Sequence, residues 1–392
     1  MSSRLLHLTL ALLCLAPTHR PSATQPRGKL TAVQPAMQAF VDKGEVAGVV
    51  TLVATKDSIV HLSAVGKSDL AKGRAMQTDD IFWIASMTKP IVAVAVAMLV
   101  DEGKLGFDEP IVKRLPEFSI QLVADGKRPS RPVTARDLLR HTSGIGELGG
   151  RDAHMTLAET SQLIGGTPLL FHPGTQWSYS TTGIDAVGRL VEVASDMPFD
   201  RFLQQRIFDP LGMKDTSFWI APEKDARFAR TYRWLAQENA LRDAPIPYMY
   251  GTAVTDRKRP PLGGAGLFST AEDMARFYQM MLNRGTANGK RLLKPETVAA
   301  LTRRQTNTLE TRPGMSWGIG FAIVENPNAM EANKILSVGS FGHGGAFSTQ
   351  SWADPAKNLI WILMFQRTGK GNPDDSDVRI AFQAAARKGL GL

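Results

Sequence analysis

The order of apolar and polar positions along the chain predicts strands near both ends and helices between them. The most apolar stretch, residues 84–100 (IASMTKPIVAVAVAMLV), is apolar on every face, which is typical of a helix buried at the centre of a domain. Residues 47–66 alternate around a polar Lys56-Asp57 pair and predict two strands joined by a turn. A central helix therefore follows an N-terminal hairpin.

Further helices are predicted by apolar residues at spacings of three and four and by capping residues. They cover residues 134–140, 155–164, 184–208, 269–282 and 373–388, with Thr134 and Ser269 as candidate N-caps. Between Ser316 and the last helix, short apolar stretches separated by turns predict strands. We therefore expect an α/β lobe from about 24–85 and 263–392, with a helical lobe of about 86–262 inserted between its halves.

The first 23 residues have the pattern of a secretory signal peptide. Arg4 precedes an apolar run at residues 5–16 that is too short to span a membrane, and a cut after Ala23 is expected. Cys14, the single cysteine of the chain, lies inside this segment, so the mature protein has no disulfide. A secreted protein of this size without disulfides predicts a bacterial periplasmic or extracellular location.

Charge adds little to this picture. The chain has 46 basic and 37 acidic residues, a net charge of +9, but no stretch combines clustered Lys and Arg with aromatic residues. We therefore predict no nucleic-acid partner, and the short apolar run at residues 5–16 predicts no membrane span. The oligomeric state is left open.

Candidate chemistry begins at the mouth of the apolar helix, where Ser86 and Lys89 are one helical turn apart. Pro90 is tolerated only near a helix start, which places Ser86 at or just before the first turn. A serine hydroxyl needs an adjacent base to become a nucleophile, and a desolvated lysine readily becomes one. The pattern S-x-x-K alone is weak evidence for a catalytic site, because short patterns occur by chance. Its position at the start of the apolar helix makes it a stronger indication.

Two further segments are placed for chemistry. Tyr179 follows a Pro-Gly turn in PGTQWSYST, just before a helix, and His343 lies in the glycine-rich GHGGA before a strand. Taken singly, each has an ordinary structural interpretation, as a core aromatic with a hydrated tip or as a tight turn.

Taken together, the order S-x-x-K, Tyr-x-x and a basic residue before x-Gly resembles the serine β-lactamase and penicillin-binding protein superfamily, in its class C-like branch. FWIASMTKPI, LLRHTSGI, FHPGTQWSYST, GGAGLFSTAEDMARF and FGHGG are typical of this branch, which includes class C β-lactamases, D-alanyl-D-alanine peptidases and family VIII-type esterases. The resemblance covers roughly residues 35–385. It implies the β-lactamase/transpeptidase-like α/β (α+β) fold, an antiparallel sheet flanked by helices with an inserted all-helical lobe.

The resemblance also implies a role for each motif. Ser86 is the nucleophile that forms an acyl-enzyme, Lys89 activates it, and Tyr179 is a second acid/base. His343 takes the position usually held by the lysine of K-T-G and tunes Tyr179 electrostatically. The backbone N–H groups of Ser86 and Ala346 form the oxyanion hole. No metal ion or cofactor is implied.

Two departures from the family pattern concern the substrate. Thr181 stands where β-lactamases and peptidases usually have Asn, and Gly344 replaces the middle Thr of K-T-G, before Gly345. Loss of a hydrogen bond to a substrate carboxylate costs about 1–3 kcal/mol. With Thr181, Gly344 and Gly345 as substrate-binding positions, both changes favour an ester over an anionic β-lactam.

The sequence therefore predicts a secreted serine hydrolase that cleaves a small carboxylic ester, or an amide. The alternatives are a class C-like β-lactamase or D-alanyl-D-alanine carboxypeptidase, which nitrocefin turnover would reveal, and a penicillin-binding sensor that is acylated without turnover.

Three other patterns compete with this interpretation. Ser316 lies in a G-x-S-x-G sequence, but a strand-like stretch follows it where a nucleophile elbow needs a helix. Residues 144–149 match G-x-G-x-x-G but follow a helix and not a strand. The seven histidines lack the spacing of a zinc hydrolase, and His141 is best interpreted as a structural residue at a helix end.

Residues 147–172 and 222–262 are expected to line the substrate pocket. Four aromatic residues are candidates for its acyl wall, with ordinary packing as the alternative: Trp177, Trp219, Tyr248 and Tyr250.

Overall fold

The computed structural model of the protein describes residues 30–392. The predicted signal peptide, residues 1–23, lies outside the described residues, as does Cys14.

Strands recur along the whole described chain. They are β1 Gly48–Ala54, β2 Ile59–Asp69, β3 Arg74–Ala75, β4 Phe82–Trp83, β5 Tyr232–Leu235, β6 Ala240–Asp243, β7 Phe268–Ser269, β8 Thr286–Ala287, β9 Lys290–Arg291, β10 Met315–Trp317, β11 Ala322–Val324, β12 Phe341–Gly344, β13 Gln350–Asp354, β14 Leu359–Met364 and β15 Arg367–Thr368.

Most of the helices lie between the second and the tenth of these strands. They are α1 Val33–Asp42, α2 Thr88–Asp101, α3 Ala135–Leu139, α4 Leu157–Gly165, α5 Thr181–Ser195, α6 Phe199–Leu203, α7 Asp209–Leu211, α8 Ala271–Leu282, α9 Pro295–Leu301 and α10 Asp377–Leu390.

The main sheet is antiparallel and joins the two ends of the chain. Its eight strands run in the order β10-β11-β12-β13-β14-β1-β2-β3, and every neighbouring pair is antiparallel. The N-terminal hairpin predicted at residues 47–66 is present, and its first strand pairs with β14 near the C-terminus, with Val50 opposite Met364. The predicted α/β (α+β) architecture is confirmed.

Both faces of the sheet are covered, because β1 is buried at every position. Val49 and Val53 pack with residues of α1 and α10 on one face, whereas Val50 and Leu52 belong to the larger core that includes α2 and α8. Successive residues of a strand point to opposite faces, so a strand in a sheet between two helical layers is buried along its whole length.

Helix α2 lies between this sheet and helix α5. Its residues from Thr88 to Leu99 are all buried, and it contacts both α5 and β12. This agrees with the prediction of a central helix from its uniform apolarity. No helix within residues 30–392 is both long enough and apolar enough to cross a bilayer.

The structure differs from the sequence prediction at two places. The segment before residue 262 is not free of strands, because β5 and β6 form a hairpin whose first strand also pairs with β15. Helix α8 is capped by Thr270 and not by Ser269, since the extended Thr270 accepts the N–H of Asp273. Cap positions shift easily by one residue when both candidates are hydroxyl residues.

The buried carboxylate of Asp137 anchors the loop that enters the helical lobe. It accepts hydrogen bonds from Arg131 Nη1 at 2.5 Å, Arg140 Nη2 at 3.1 Å and Thr142 Oγ1 at 3.0 Å. Burial alone would raise the pKa of Asp137, but its hydrogen bonds with Arg131 and Thr134 hold that pKa below its usual value.

We expect Asp137→Ala to lower the free energy of unfolding by about 3 kcal/mol, because it leaves two guanidiniums without their buried partner. Asp108→Ala is the matched control, since Asp108 also pairs with an arginine, Arg136, but its side chain is 72% exposed. That surface pair is worth less than about 1 kcal/mol. Urea unfolding of both variants measures the difference, and equal losses would contradict the anchoring role of Asp137.

Candidate active site

Ser86 lies in a strained turn at the entrance to α2. The preceding Ala85 has a positive φ of 45°, and a single 3-10 turn, Ala85–Met87, leads into the helix. A positive φ is rare for a residue with a side chain, and such strain is found most often at functional sites. Ser86 is partly exposed and lines a cavity of about 480 Å³.

The amine of Lys89 is buried directly behind Ser86. Its Nζ lies 2.9 Å from Ser86 Oγ and donates to the carbonyl oxygen of Gly264 at 2.7 Å. Burial lowers the pKa of Lys89 to about 7, although the charges of Asp185 and Glu147 oppose the shift. Near neutral pH a large share of this amine is therefore uncharged and able to take a proton from Ser86.

A buried network behind Lys89 holds the Gly264 carbonyl in place. The N–H of Gly264 donates to Asp185 Oδ1 at 2.8 Å, and Asp185 Oδ2 pairs with Arg151 at 2.7 Å. Any side chain at Gly264 would overlap the backbone of Thr181. Sequence analysis missed the contribution of Gly264, for which the GGAG sequence was the only available signal.

Tyr179 is held over the Ser86–Lys89 pair by aromatic neighbours and cations. Its ring packs at 4.4 Å from that of His141, and Lys89 Nζ lies 4.8 Å from its centroid. The guanidinium of Arg312 lies 5.1 Å from the same centroid. The three predicted residues Ser86, Lys89 and Tyr179 thus meet at one point.

His141 has a direct part in this arrangement. Its Nδ1 accepts the N–H of Ser180 at 3.2 Å, so the neutral ring carries its proton on Nε2. Burial lowers the pKa of His141 well below its usual value and keeps the ring neutral. The predicted structural role of His141 therefore includes positioning the segment that carries Tyr179.

The Tyr179 hydroxyl stays protonated at neutral pH. Burial raises its pKa, while a hydrogen bond with Ser86 and the charge of Arg312 oppose the rise. The two groups therefore have different functions. The protonated phenol of Tyr179 is the acid, and the partly neutral amine of Lys89 is the base.

His343, on β12, is neutral and so cannot act as the cation implied by the resemblance. Its Nδ1 lies 2.7 Å from the carbonyl oxygen of Gly344, which places the proton on Nδ1. Burial and the nearby charge of Lys89 lower the pKa of His343 to about 3. What His343 offers instead is the lone pair of Nε2, which has no partner within residues 30–392. Arg312, which sequence analysis missed, is the additional positive charge beside Tyr179.

The turn after β12 forms the far side of the site. Gly344, Gly345 and Ala346 all line the same cavity as Ser86. A side chain at Gly345 would overlap Thr349 Oγ1 and the carbonyl of Ile84, so the turn can approach the Ser86 turn only because it lacks one. The N–H of Ala346 has no hydrogen-bond partner in the described part of the chain.

Thr181 occupies a different position from the other predicted substrate-binding residues. It is the first residue of α5, and its N–H donates to Glu147 Oε1 at 2.5 Å. Thr181 does not line the cavity, unlike Gly344 and Gly345. Its substrate-binding role stays a prediction.

The cavity wall comes from a part of the chain that the sequence did not indicate. Its apolar side chains, apart from Ala346, are Pro313, Met315, Trp317, Ala322, Ala329, Met330 and Trp352. None of the four aromatic residues predicted for an acyl wall lines this cavity. Tyr248 and Tyr250 instead bond the buried Asp185–Arg151 pair, and Trp177 packs on Trp317 at 4.8 Å.

The alternative motifs have structural roles. Ser316 is buried in β10 and donates to Glu325 Oε1 at 2.6 Å, so its hydroxyl faces no cavity. Within residues 30–392, His, Cys, Asp and Glu form no group that could hold a metal ion.

This geometry can be compared with known proteins. A family profile described as Beta-lactamase matches residues 33–386. The chain belongs to this family. The predicted superfamily is thereby confirmed over almost all of the described residues.

Among relatives, the chain is 34% identical to esterase EstB of Burkholderia gladioli, over 83% of this chain and 87% of the esterase. It is 32% identical to a lovastatin esterase of Penicillium rubens, over 67% and 69% respectively. The solved structure of EstCE1, described as a hydrolase with promiscuous acyltransferase activity, superposes with a TM-score of 0.80 at 24% identity and covers 91% of this chain and 98% of that one. The protein is a serine hydrolase of the β-lactamase family, and esterases are favoured over β-lactamases among these relatives.

The lowered pKa of Lys89 predicts the pH dependence of activity. Because only the neutral amine can accept the Ser86 proton, kcat/KM should rise with pH, with its midpoint near the Lys89 pKa of about 7. Initial rates on a neutral ester between about pH 5 and 9 measure this limb.

Lys89→Met should remove this limb together with most of the activity, by about 10²-fold or more. A midpoint above about pH 9 would show that the amine stays charged at neutral pH and would contradict this assignment.

Proposed function

We propose that the protein hydrolyses small carboxylic esters through an acyl-enzyme on Ser86. The contact between a buried, partly neutral Lys89 and Ser86 Oγ, at 2.9 Å, carries this proposal. Amides are harder to cleave than esters, and we propose them only as secondary substrates.

In the acylation step, Ser86 Oγ attacks the ester carbonyl carbon as its proton moves to Lys89 Nζ. The resulting oxyanion is held by the N–H groups of Ser86 and Ala346, which act most strongly where charge develops. The C–O bond of the leaving alcohol then breaks, and the alkoxide takes its proton from the hydroxyl of Tyr179. Lys89, 4.8 Å from the Tyr179 ring centroid, returns a proton to the phenolate.

In the deacylation step, a water molecule attacks the acyl carbon from the cavity. The proton of this water passes to the neutral amine of Lys89. The bond between the acyl carbon and Ser86 Oγ then breaks, and the Ser86 oxygen takes this proton back as the carboxylic acid leaves. His343 lines this cavity as a neutral side chain and places no positive charge next to the charged form of Lys89.

Two observations support an ester over a β-lactam. The cavity beside Ser86 is walled largely by apolar side chains, including Met315 and Met330, which suits an uncharged acyl group. The middle residue of the third motif, Gly344, has no hydroxyl to hold a substrate carboxylate. The similarity to EstB and to the lovastatin esterase agrees with this preference.

Hydrolysis of 4-nitrophenyl butyrate by the purified protein tests the proposal, with nitrocefin measured in parallel. Ser86→Ala should lower ester turnover by at least about 10³-fold, since it removes the nucleophile. Ser316→Ala is the matched control and should retain turnover, because Ser316 is buried against Glu325.

Faster turnover of nitrocefin than of the ester would favour a β-lactamase. Ester turnover that survives Ser86→Ala would overturn the proposed nucleophile.

We also propose that the protein is exported, on the strength of the basic and apolar pattern of residues 1–23. Expression of the full chain in a bacterial host should place it in the periplasmic or culture fraction, with Thr24 as its N-terminal residue. N-terminal sequencing measures the cut. Recovery of the uncleaved chain in the cytoplasm would contradict export.

A further inference from the structure

The cavity contains a carboxylate that the mechanism does not use. Asp374 belongs to the 3-10 turn Pro373–Asp375, just before α10, and lines the same cavity as Ser86. Its Oδ2 accepts Arg312 Nη1 at 2.5 Å, and its Oδ1 accepts Gln350 Nε2 at 3.1 Å. The side chain is therefore held from two sides, by a loop and by a strand of the main sheet.

This carboxylate stands over Gly344. A methyl group added at Gly344 would overlap Asp374 Oδ1 and also the amide group of Gln350. Asp374 can therefore occupy this position only because residue 344, in the third motif, is a glycine. An acidic group occupies the space where a side chain at Gly344 would face the substrate.

Asp374 also neutralises the positive charge of the cavity. Two guanidiniums line it, those of Arg312 and Arg379. Arg379 is 1% exposed, its Nη1 donates to the Asp374 carbonyl at 2.5 Å, and burial lowers its pKa to about 10. A cation as poorly solvated as Arg379 would hold an anion strongly if none were present, whereas Arg312 is 39% exposed. The chain supplies that anion itself, from Asp374 against Arg312 and from the neighbouring Asp375.

We propose that Asp374 determines specificity: its carboxylate occupies the anion position beside Arg312, and the enzyme therefore selects uncharged esters over esters that carry a carboxylate. This inference rests on the proposed ester hydrolysis. A carboxylate on the substrate would enter beside Asp374, where like charges repel, and would find Arg312 already paired. An uncharged acyl chain contacts the apolar side chains of the same cavity. It is not repelled by Asp374 and does not need a free Arg312.

A matched pair of substrates tests this selection. 4-Nitrophenyl hexanoate and mono-4-nitrophenyl adipate have acyl chains of equal length and differ in a terminal methyl or carboxylate group. The readout is the ratio of kcat/KM for the adipate to that for the hexanoate, after subtraction of spontaneous hydrolysis. Asp374→Asn keeps the shape of the side chain and should raise this ratio at least about tenfold, because Arg312 becomes free to pair with the substrate.

Two further variants separate this effect from a general change of charge. Adding Arg312→Gln to Asp374→Asn should remove most of the gain, since the freed cation is then absent. Glu331→Gln removes the same charge from an exposed residue that pairs with Lys334, and it should leave the ratio within about twofold of the parent.

A ratio in Asp374→Asn within about twofold of the parent would overturn the inference. Calorimetric titration with adipate gives a readout that needs no turnover: Asp374→Asn should bind adipate at least about tenfold more tightly than the parent, and equal affinities would also overturn it. A parent protein that fails to hydrolyse the hexanoate would overturn the proposed function, while the titration would still decide the role of Asp374.

Discussion

The buried amine of Lys89 is the constraint on which the rest of the site depends. A lysine without solvent must either be paired or lose its proton, and here it is held by two oxygens, Ser86 Oγ and the Gly264 carbonyl. This requires a helix that is buried on all sides, a glycine that can approach closely, and Asp185 to fix that glycine. The uniform apolarity of α2, which looks like simple core packing, is what lowers the pKa of the base.

The same physical effect, burial, gives the site both its acid and its base. Burial lowers the pKa of Lys89 and raises that of Tyr179, so that the amine is ready to accept a proton and the phenol to donate one. The two histidines next to Tyr179, His141 and His343, are neutral for the same reason, and each has one ring nitrogen committed to the backbone. The charge that a lysine would have brought to the third motif comes instead from Arg312, on a different loop.

The cavity next to the reactive groups is lined by both apolar and charged side chains. Met315 and Met330 give it apolar side chains, while Arg312 and Asp374, which line the same cavity, form an ion pair. The reactive groups belong to the buried core, whereas Arg312, Met330 and Asp374 lie in loops and turns around it and Met315 is the first residue of β10. Such a division allows substrate preference to change without disturbing the acyl-transfer machinery.

Local sequence patterns by themselves determined several elements of the fold and the contact between the nucleophile and its base. Uniform apolarity predicted α2, the paired apolar runs predicted the β1–β2 hairpin, and the spacing of Ser86 and Lys89 predicted their contact, because these patterns act through neighbours in the chain. The family was predicted from the resemblance of the motifs around Ser86, Tyr179 and His343 to those of known members.

The tertiary structure alone decided the rest. Lys89 and Gly264 are 175 residues apart, and Arg312 and Asp374 are 62 apart, so their contacts arise from the packing of separate elements. The neutral state of His343 likewise depends on burial and on the charge of Lys89, which no local pattern records. Sequence periodicity specifies which face of an element is buried, but the protonation state and pairing of a buried group follow from what the fold places against it.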